Sequence, residues 1–403
     1  MLNRLLDIVF LLSNLTASWV RYTLGLSRGR KFKLGEEIAP QLGDINSILL
    51  FGYMGMGDAV MFEPTLRAYL NRFPETSFDV VVGPGSQSVA ILQHIMEENG
   101  RSFRAVYEAD FKALGRSKLQ QLNNKLCSNS YDACLAVYTT PIQYFIRAIE
   151  SIPFRIGHTI RPQAWYKPRP NFLFNISRKV DQDIDEREPY RHFRLAQAIG
   201  LQSQGTQPEP KLRISEKDRQ RALAFLGESG LREKELIAVH LGVSKAMSWK
   251  KWPDERYAEV LSNLIQPNRH FLFFGSAGEV TEIETARTMV KEQSTVFAGN
   301  LEVMQVGALI SHCKLTIGND SGIGHLSIAI GTPTIRIFGP SDHFGCEPYM
   351  EGHVTYYKDL TCSPCMNLGL IKPGYNVLNC GHRNCLNLIS VDEVTKSVLT
   401  LLN

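Results

Sequence analysis

The stretch NDSGIGH, residues 319–325, sets a carboxylate (Asp320), a hydroxyl (Ser321), two glycines (Gly322 and Gly324) and an imidazole (His325) between two apolar runs. A strand–turn–helix of this kind leaves unsatisfied N–H groups at the helix start, a ready site for an anion. Each residue also has an ordinary structural use: Ser321 as a helix cap, Asp320 as a turn stabiliser, His325 as a buried imidazole. A second loop, HLGVSKAMSWKKWP, carries Lys250 and Lys251 just ahead of a helix opening at Pro253. Cations there oppose the helix dipole, so their placement points to an anion in the site or to lysines that are simply solvated. A third, GYMGMGD, brings Gly52, Gly55 and Gly57 up to Asp58. Asp58 reads as a helix cap or as a carboxylate able to act as a general base. The glycine spacing is not G-x-G-x-x-G, so a nicotinamide dinucleotide is not indicated. Ser341 and Asp342, in IFGPSD, are weaker candidates at a similar turn.

Cys362, Cys365, Cys380 and Cys385 form C-x2-C-x14-C-x4-C, close to the spacing of a four-thiolate structural metal site for zinc or iron. The alternative is four free thiols. A saturated tetrathiolate has no open coordination position, so its role would be to pin a loop. The flanks lack the basic patch of a nucleic-acid-binding zinc ribbon.

The elements that must position these loops alternate apolar strand-like runs with amphipathic helices, the pattern of α/β units around parallel sheets. SILLFGY, FDVVVGP and DACLAVY read as strands, and EPTLRAYLNRFP as a helix closed by Pro74. From about 155 to 212 the periodicity weakens and Pro, Arg and acidic residues accumulate around one helix, RHFRLAQAIGL. The Pro/Gln-rich piece after it is the expected interdomain linker. A second series follows: strand ELIAVHLG, helix WPDERYAEVLSNLI, strand HFLFFGS, helix EVTEIETARTMVKEQ, strand KLTIGND, helix GHLSIAIG and strand TPTIRIFGP. The expected division is an extension over 1–45, one Rossmann-like domain over 46–207 and another over 208–403. Open parallel sheets bind ligands beyond the carboxyl ends of their strands, where all three loops lie.

The chain has 403 residues, 44% hydrophobic, enough for two packed cores. A net charge of +4 with dispersed basic residues gives no footprint for a nucleic-acid partner. Eight cysteines are too few for a disulfide scaffold of this length and suit a reducing, cytoplasmic setting. At the N-terminus, Asp7, Asn14 and Arg21 interrupt any run near the roughly 20 apolar residues of a membrane span. Asp7 also breaks the apolar region of a signal peptide. Leu5, Ile8, Leu12, Leu15, Trp19 and Tyr22 instead line one face ahead of a basic run, which fits a helix lying at a membrane interface or one docked on the protein's own surface.

Together, ILLFGYMGMGDAVMFEPTLRAYLNRFP, HLGVSKAMSWKKWP and GNDSGIGHLSIAIGTPTIRIFGPSD resemble, in order, the motifs of glycosyltransferase family 9, the ADP-heptose:lipopolysaccharide heptosyltransferases. The Cys-x-Pro-Cys start of the cysteine cluster also resembles members of that family. The resemblance covers about residues 46–400. It implies an α/β GT-B fold, two Rossmann-like domains facing each other across a cleft, with the acceptor on the N-terminal domain and the nucleotide-sugar donor on the C-terminal one. It implies an inverting, metal-independent transfer of heptose from ADP-heptose to a lipopolysaccharide core or related acceptor, without a catalytic cofactor. By the same resemblance Asp58 is the general base and Lys250 contacts the donor diphosphate. Asp320 contacts the sugar, and Gly57, Ser244, Ser321, Gly322 and His325 complete the donor site. A lipid-linked acceptor would place the enzyme in the cytoplasm, peripheral to the inner membrane. The PSDHF ending departs from the family's Thr-Asp-Pro. Another nucleotide-sugar, a protein acceptor, or a non-catalytic nucleotide-sugar-binding protein are the competing readings.

Overall fold

The computed structural model describes residues 45–110, 116–138, 144–160, 174, 176–180, 186–203, 207–243, 245–347, 351–367, 370–371 and 380–402. The interfacial-helix expectation for the N-terminus lies outside the described residues, and so does Ser244. The chain divides into two compact units, Met1–Ile184 with Glu188–Pro208, and Asp185–Arg187 with Glu209–Asn403.

In the first unit six strands form one sheet: β1 (Ser47–Phe51), β2 (Ser77–Val82), β3 (Ala105–Glu108), β4 (Ala133–Ala136), β5 (Phe154–Ile160) and β6 (Ile176–Val180). All pairings are parallel, in the order β3-β2-β1-β4-β5-β6. Parallel strands covered on both faces read as unbroken apolar runs, and SILLF is buried at every position. Leu49, Phe51, Val81 and Cys134 pack with Phe145 and Ile149 in one core. β5 and β6 fall in the region where sequence periodicity fades. They lie at one side of the sheet with β6 as its edge, where a strand needs no continuous apolar run.

The second unit repeats the plan with β7 (Glu235–His240), β8 (Arg269–Gly275), β9 (Ser294–Ala298), β10 (Leu315–Asn319), β11 (Thr334–Ile337) and β12 (His353–Tyr356). Its order is β12-β11-β10-β7-β8-β9, again all parallel. Renumbered from its own first strand, this is the same doubly wound order as in the first unit. Two Rossmann-like α/β units of the GT-B class follow, as the sequence indicates. Ile237, Val239, Phe271, Phe273, Ile317 and Ile335 form the sheet's share of a core that also takes in Trp252, Tyr257 and Val394.

One helix is shorter than its sequence pattern. The run 279–293 is helical only over Val280–Ala286, with a separate short turn at Lys291–Gln293. The hydroxyls of Thr285 and Thr288 donate back to the carbonyls of Thr281 and Glu284, at 3.1 and 3.0 Å, a competition that weakens helices. No helix among the described residues is long and apolar enough to cross a membrane.

Gly318 in β10 fixes how closely that strand approaches β7: a Cβ there would sit 2.1 Å from the His240 carbonyl oxygen. The obstacle is backbone and cannot swing aside. Gly318→Ala is therefore expected to destabilise the protein by about 3 kcal/mol, whereas Gly227→Ala, in an open helical position, should be neutral or stabilising by about 0.5 kcal/mol. Urea unfolding of the two variants checks this, and equal midpoints would contradict the packing argument.

Candidate functional site

In a doubly wound sheet the crevice opens where neighbouring strands send their connections to opposite faces. In the second unit that point lies between β7 and β10. The loop after β7 carries Lys250, and the turn after β10 carries Asp320 and Ser321. Asn319, the last residue of β10 and fully buried, fastens the two together. Its Oδ1 accepts from the Trp252 N–H and the Tyr257 hydroxyl, both at 3.0 Å, and its Nδ2 donates to the Leu241 carbonyl at 2.7 Å. The Trp252 ring meets Tyr257 edge-on, with centroids 4.9 Å apart.

Asp320 follows directly. The Lys250 ammonium pairs with its Oδ2, and the Ser341 hydroxyl donates to the same oxygen at 2.8 Å. Burial pushes the carboxyl pKa up, but Lys250, His325 and Ser341 outweigh it and hold the group below its ordinary value. The neighbouring lysine does something else. Lys251 donates to Asp254 Oδ2 at 2.8 Å in the first turn of the Asp254–Ser262 helix, which offsets its repulsion from that helix start. Of the two lysines, only Lys250 is joined to Asp320.

Ser321 caps the Gly322–Ala329 helix, with the Gly324 N–H 3.5 Å from its Oγ, and that oxygen lies 3.0 Å from His240 Nδ1. Burial pushes His240 down to about 4, against the pull of Glu279, so the ring is neutral. With the Gly324 N–H taken by the Ser321 cap, the Gly322 and Ile323 N–H groups at the helix start have no intrahelical acceptor and point to an anion site. Nearly every side chain of this eight-residue helix is buried, as its apolar sequence requires. Gly324 has a packing reason, since a Cβ there would lie 2.8 Å from Arg336 Cδ.

His325 packs against Arg336, whose Nη1 lies 3.4 Å from His325 Nε2 and whose Nη2 donates to the Cys346 carbonyl at 2.6 Å. Burial and the Arg336 charge push His325 down to about 3. The imidazole is therefore a neutral support in the wall. Asp320, His325 and Cys346 bring one ligand atom each within 4.8 Å of one another. Two cations, Lys250 and Arg336, border this trio and would repel a divalent ion there, so the donor set suits a charge-balanced cluster better than a metal.

In the first unit the switch point lies between β1 and β4. Asp58 sits in the first turn of the Met56–Met61 helix, which opens at Gly55, and its Oδ2 accepts the Gly55 N–H at 3.0 Å. Its Oδ1 accepts the hydroxyl of Tyr138, just beyond β4, at 3.0 Å. Tyr138 in turn lies 3.4 Å from Nε2 of buried His192. Asp58 is thus not the N-terminal cap the sequence allows, which is Gly55; it stands at the third helical position, bonds back to the Gly55 N–H, and is partly buried with both oxygens oriented. Gly57 lies in the same helix.

The four cysteines gather in the second unit. Burial raises Cys385, and the neighbouring Cys365, Cys380 and Cys362 add to it, pushing the thiol up to about 11. His382, which the cysteine spacing did not single out, places a ring nitrogen 3.9 Å from Cys380 Sγ. The cluster buttresses both the turn at Pro340 and the lysine loop. The N–H groups of Cys365 and Met366 donate to the Pro340 carbonyl at 3.1 and 2.9 Å, and Met366 and Cys365 pack on Trp249 of the lysine loop.

Several participants carried no sequence signal, namely Tyr138, His192 and Arg336, while Ser341, a weaker candidate in the sequence, bonds Asp320. Glu279, after β8, is another without a signal. Its carboxylate fills the space over Gly242, where a Cβ would fall 2.0 Å from Oε1.

The buried Lys250–Asp320 pair has a measurable pH signature. A carboxyl held below its unfolded value stabilises the fold above about pH 4 and loses that contribution as pH falls through its folded pKa. Lys250→Met strands the buried carboxylate and should cost about 3 kcal/mol near neutrality. Because Asp320 would then favour its protonated form, the variant should gain stability between about pH 7 and 5, the reverse of the wild type's trend at acid pH. Urea melts across that range test it; parallel stability profiles would show that the pair is not coupled.

Comparisons with known proteins identify the family and the fold. The family model described as glycosyltransferase family 9 (heptosyltransferase) matches residues 119–375. Lipopolysaccharide heptosyltransferase 2 of Salmonella typhimurium is 26% identical over 308 residues, spanning 73% of this chain and 83% of the relative. The solved structure of Escherichia coli ADP-heptose lps heptosyltransferase II superposes with a TM-score of 0.64 at 21% identity, covering 88% of this chain and 98% of that one. The structure of E. coli heptosyltransferase WaaC with ADP-2-deoxy-2-fluoro heptose gives a TM-score of 0.60 at 18% identity, covering 88% and 99%. The family match spans well over half the chain: it belongs to glycosyltransferase family 9, the heptosyltransferases, and is a glycosyltransferase.

Proposed function

We propose that the protein transfers heptose from ADP-heptose to a lipopolysaccharide core acceptor, with inversion and without a catalytic metal. The observation that carries this reading is the meeting of Lys250 and Asp320 at the start of the Gly322–Ala329 helix, on the β7/β10 switch point. A diphosphate leaving group needs positive charge as its bond to the anomeric carbon breaks. The Lys250 ammonium and the Gly322 and Ile323 N–H groups at the helix start supply it without a metal ion. Asp320, freed from Lys250 by that phosphate, accepts sugar hydroxyls, while neutral His325 and its Arg336 contact keep the wall in place. Gly57 and Ser244 complete the assigned donor residues.

Asp58 is assigned as the base on the first unit. In a one-step inversion the acceptor hydroxyl attacks the anomeric carbon from the face opposite the diphosphate. Its proton passes to Asp58 as the carbon–oxygen bond to phosphate breaks. The relatives' names support heptose, ADP and lipopolysaccharide as the chemistry involved. A lipid-linked acceptor supports a cytoplasmic enzyme working at the inner membrane surface.

Asp58→Asn should lower kcat by about 100- to 10,000-fold, leaving ADP-heptose affinity within about twofold. The assay is ADP release from ADP-heptose with lipopolysaccharide core fragments of graded length, with the anomeric configuration of the product read by NMR. Wild-type turnover in the variant would remove the base assignment, a retained anomeric configuration the inversion, and turnover only with another nucleotide-sugar the donor.

The four-cysteine cluster fits a structural zinc or iron. Burial raises the Cys385 thiol, Cys365, Cys380 and Cys362 lie near enough to add to that rise, and a bound cation would reverse their repulsion and draw the four sulfurs together. The residues that would hold it are Cys362, Cys365, Cys380 and Cys385; its contribution would be to brace the Pro340 turn and Trp249. Purified protein should carry about one equivalent of zinc or iron per chain, and Cys385→Ser should lose it together with about 2 kcal/mol or more of stability. Elemental analysis finding neither metal, with all four thiols alkylatable in the native protein, would rule this out.

A further inference from the structure

Asp58 has a partner on the neighbouring strand that no motif accounts for. Tyr138 follows β4, the strand beside β1 at the switch point, and its hydroxyl stands between two acceptors: Asp58 Oδ1 at 3.0 Å and His192 Nε2 at 3.4 Å. A phenol has one proton to give. The carboxylate is nearer and charged, so it takes that proton in the stronger, charge-assisted bond.

His192 completes a chain. It comes from the Glu188–Gln197 helix, is almost fully buried, and stands edge-on to both Tyr138 and Phe62, with centroids 5.9 and 6.0 Å away. Burial, with the Arg191 charge adding to it, pushes its pKa down to about 3, so the ring is neutral at any working pH. Its Nδ1 is buried without a hydrogen-bond partner. A lone pair is less costly to strand than an N–H, so the proton belongs on Nε2, facing the Tyr138 oxygen. The chain then runs His192 Nε2–H to Tyr138 O–H to Asp58 Oδ1, with the Gly55 N–H on Oδ2.

Charged groups on the surrounding helices pair with one another. Glu188 pairs with Arg191 and lies 3.6 Å from His192 Nε2. Glu63 and Glu98 both engage Arg67, and His94 lies 3.0 Å from Glu98.

We propose that Tyr138, backed by His192, is a positioning residue for Asp58: it fixes the carboxylate's rotation toward the acceptor and keeps it ionised until it takes the acceptor proton. The proposal rests on the assignment of Asp58 as base. No net proton moves along the chain; Tyr138 keeps its proton, and the one Asp58 gains is the acceptor hydroxyl's.

Tyr138→Phe removes one oxygen and keeps the ring. A hydrogen bond to the charged form lowers a carboxyl's pKa, so losing it should move the acid limb of the kcat/KM profile up by about one pH unit. With Asp58 free to rotate, kcat should fall about tenfold to a hundredfold, while the KM for ADP-heptose, whose assigned residues apart from Gly57 lie on the other unit, stays within about twofold. His192→Leu, which cuts the far end of the chain, should move the limb the same way by less. Asp58→Asn, measured alongside with the same core fragments, separates the two levels. If it is inactive and both the Tyr138 and His192 variants keep the wild-type pH profile, the positioning role is wrong and the base stands. If it turns over normally, base and positioning role fall together. A thermal melt of each variant shows whether a lost rate reflects unfolding; should Tyr138→Phe not fold, the His192→Leu profile decides.

Discussion

Everything functional in this chain hangs on one topological constraint, repeated twice. In the order β3-β2-β1-β4-β5-β6, and again in β12-β11-β10-β7-β8-β9, two neighbouring parallel strands send their following segments to opposite faces of the sheet. The backbone beyond those two strand ends cannot be covered by either connection, so a crevice is built into the order itself. Each unit places one carboxylate there and meets it from the adjoining strand. Asp58 follows β1 and is met by Tyr138 from β4; Asp320 follows β10 and is met by Lys250 from β7. The partners differ in kind: a phenol leaves a carboxylate its charge and aims it, whereas an ammonium neutralises it.

Holding a charged pair at 6% and 15% exposure demands a rigid frame, because a buried ion is tolerated only while its partners stay in place. Asn319 provides that frame with three hydrogen bonds across the switch point. Gly318 lets the two strands approach closely enough for those bonds to form. Behind them Arg336 fills the space over Gly324 and braces His325. The cysteine segment holds the Pro340 turn from outside, and Ser341 beside it delivers its hydroxyl to Asp320.

The strands of both cores were legible because sheets buried on both faces impose runs such as SILLF and LIAVH. The loops were legible because a helix start that binds an anion needs small residues and a cap in fixed order, as in NDSGIGH. β5 and β6 were not, since strands toward a sheet edge relax the apolar rule. Tyr138 and His192 were invisible for a different reason. They lie 80 and 134 residues from Asp58 in the chain, and a single tyrosine after a strand, or a histidine on an amphipathic helix, has no spacing to mark it. Ser341 was visible only as a weaker candidate, because its Gly-Pro context reads as ordinary punctuation. Of the two adjacent lysines, spacing alone pointed to one near an anion without saying which, and only the family resemblance named Lys250. Asp254, three residues beyond Lys251, decides it by claiming that side chain.

The resting partnership of Lys250 with Asp320 bears on selectivity. A simple anion that draws the ammonium away leaves a buried carboxylate without compensation, and so gives back much of what it gains. A neutral sugar that offers hydroxyls to Asp320 must do so while the lysine still holds it. Only a molecule presenting phosphate and hydroxyls together rehouses both halves of the pair at once. On the proposed assignment of Lys250 and Asp320 to the donor, the site would act as a coincidence detector, biased against the free phosphates and free sugars that each resemble half of that donor.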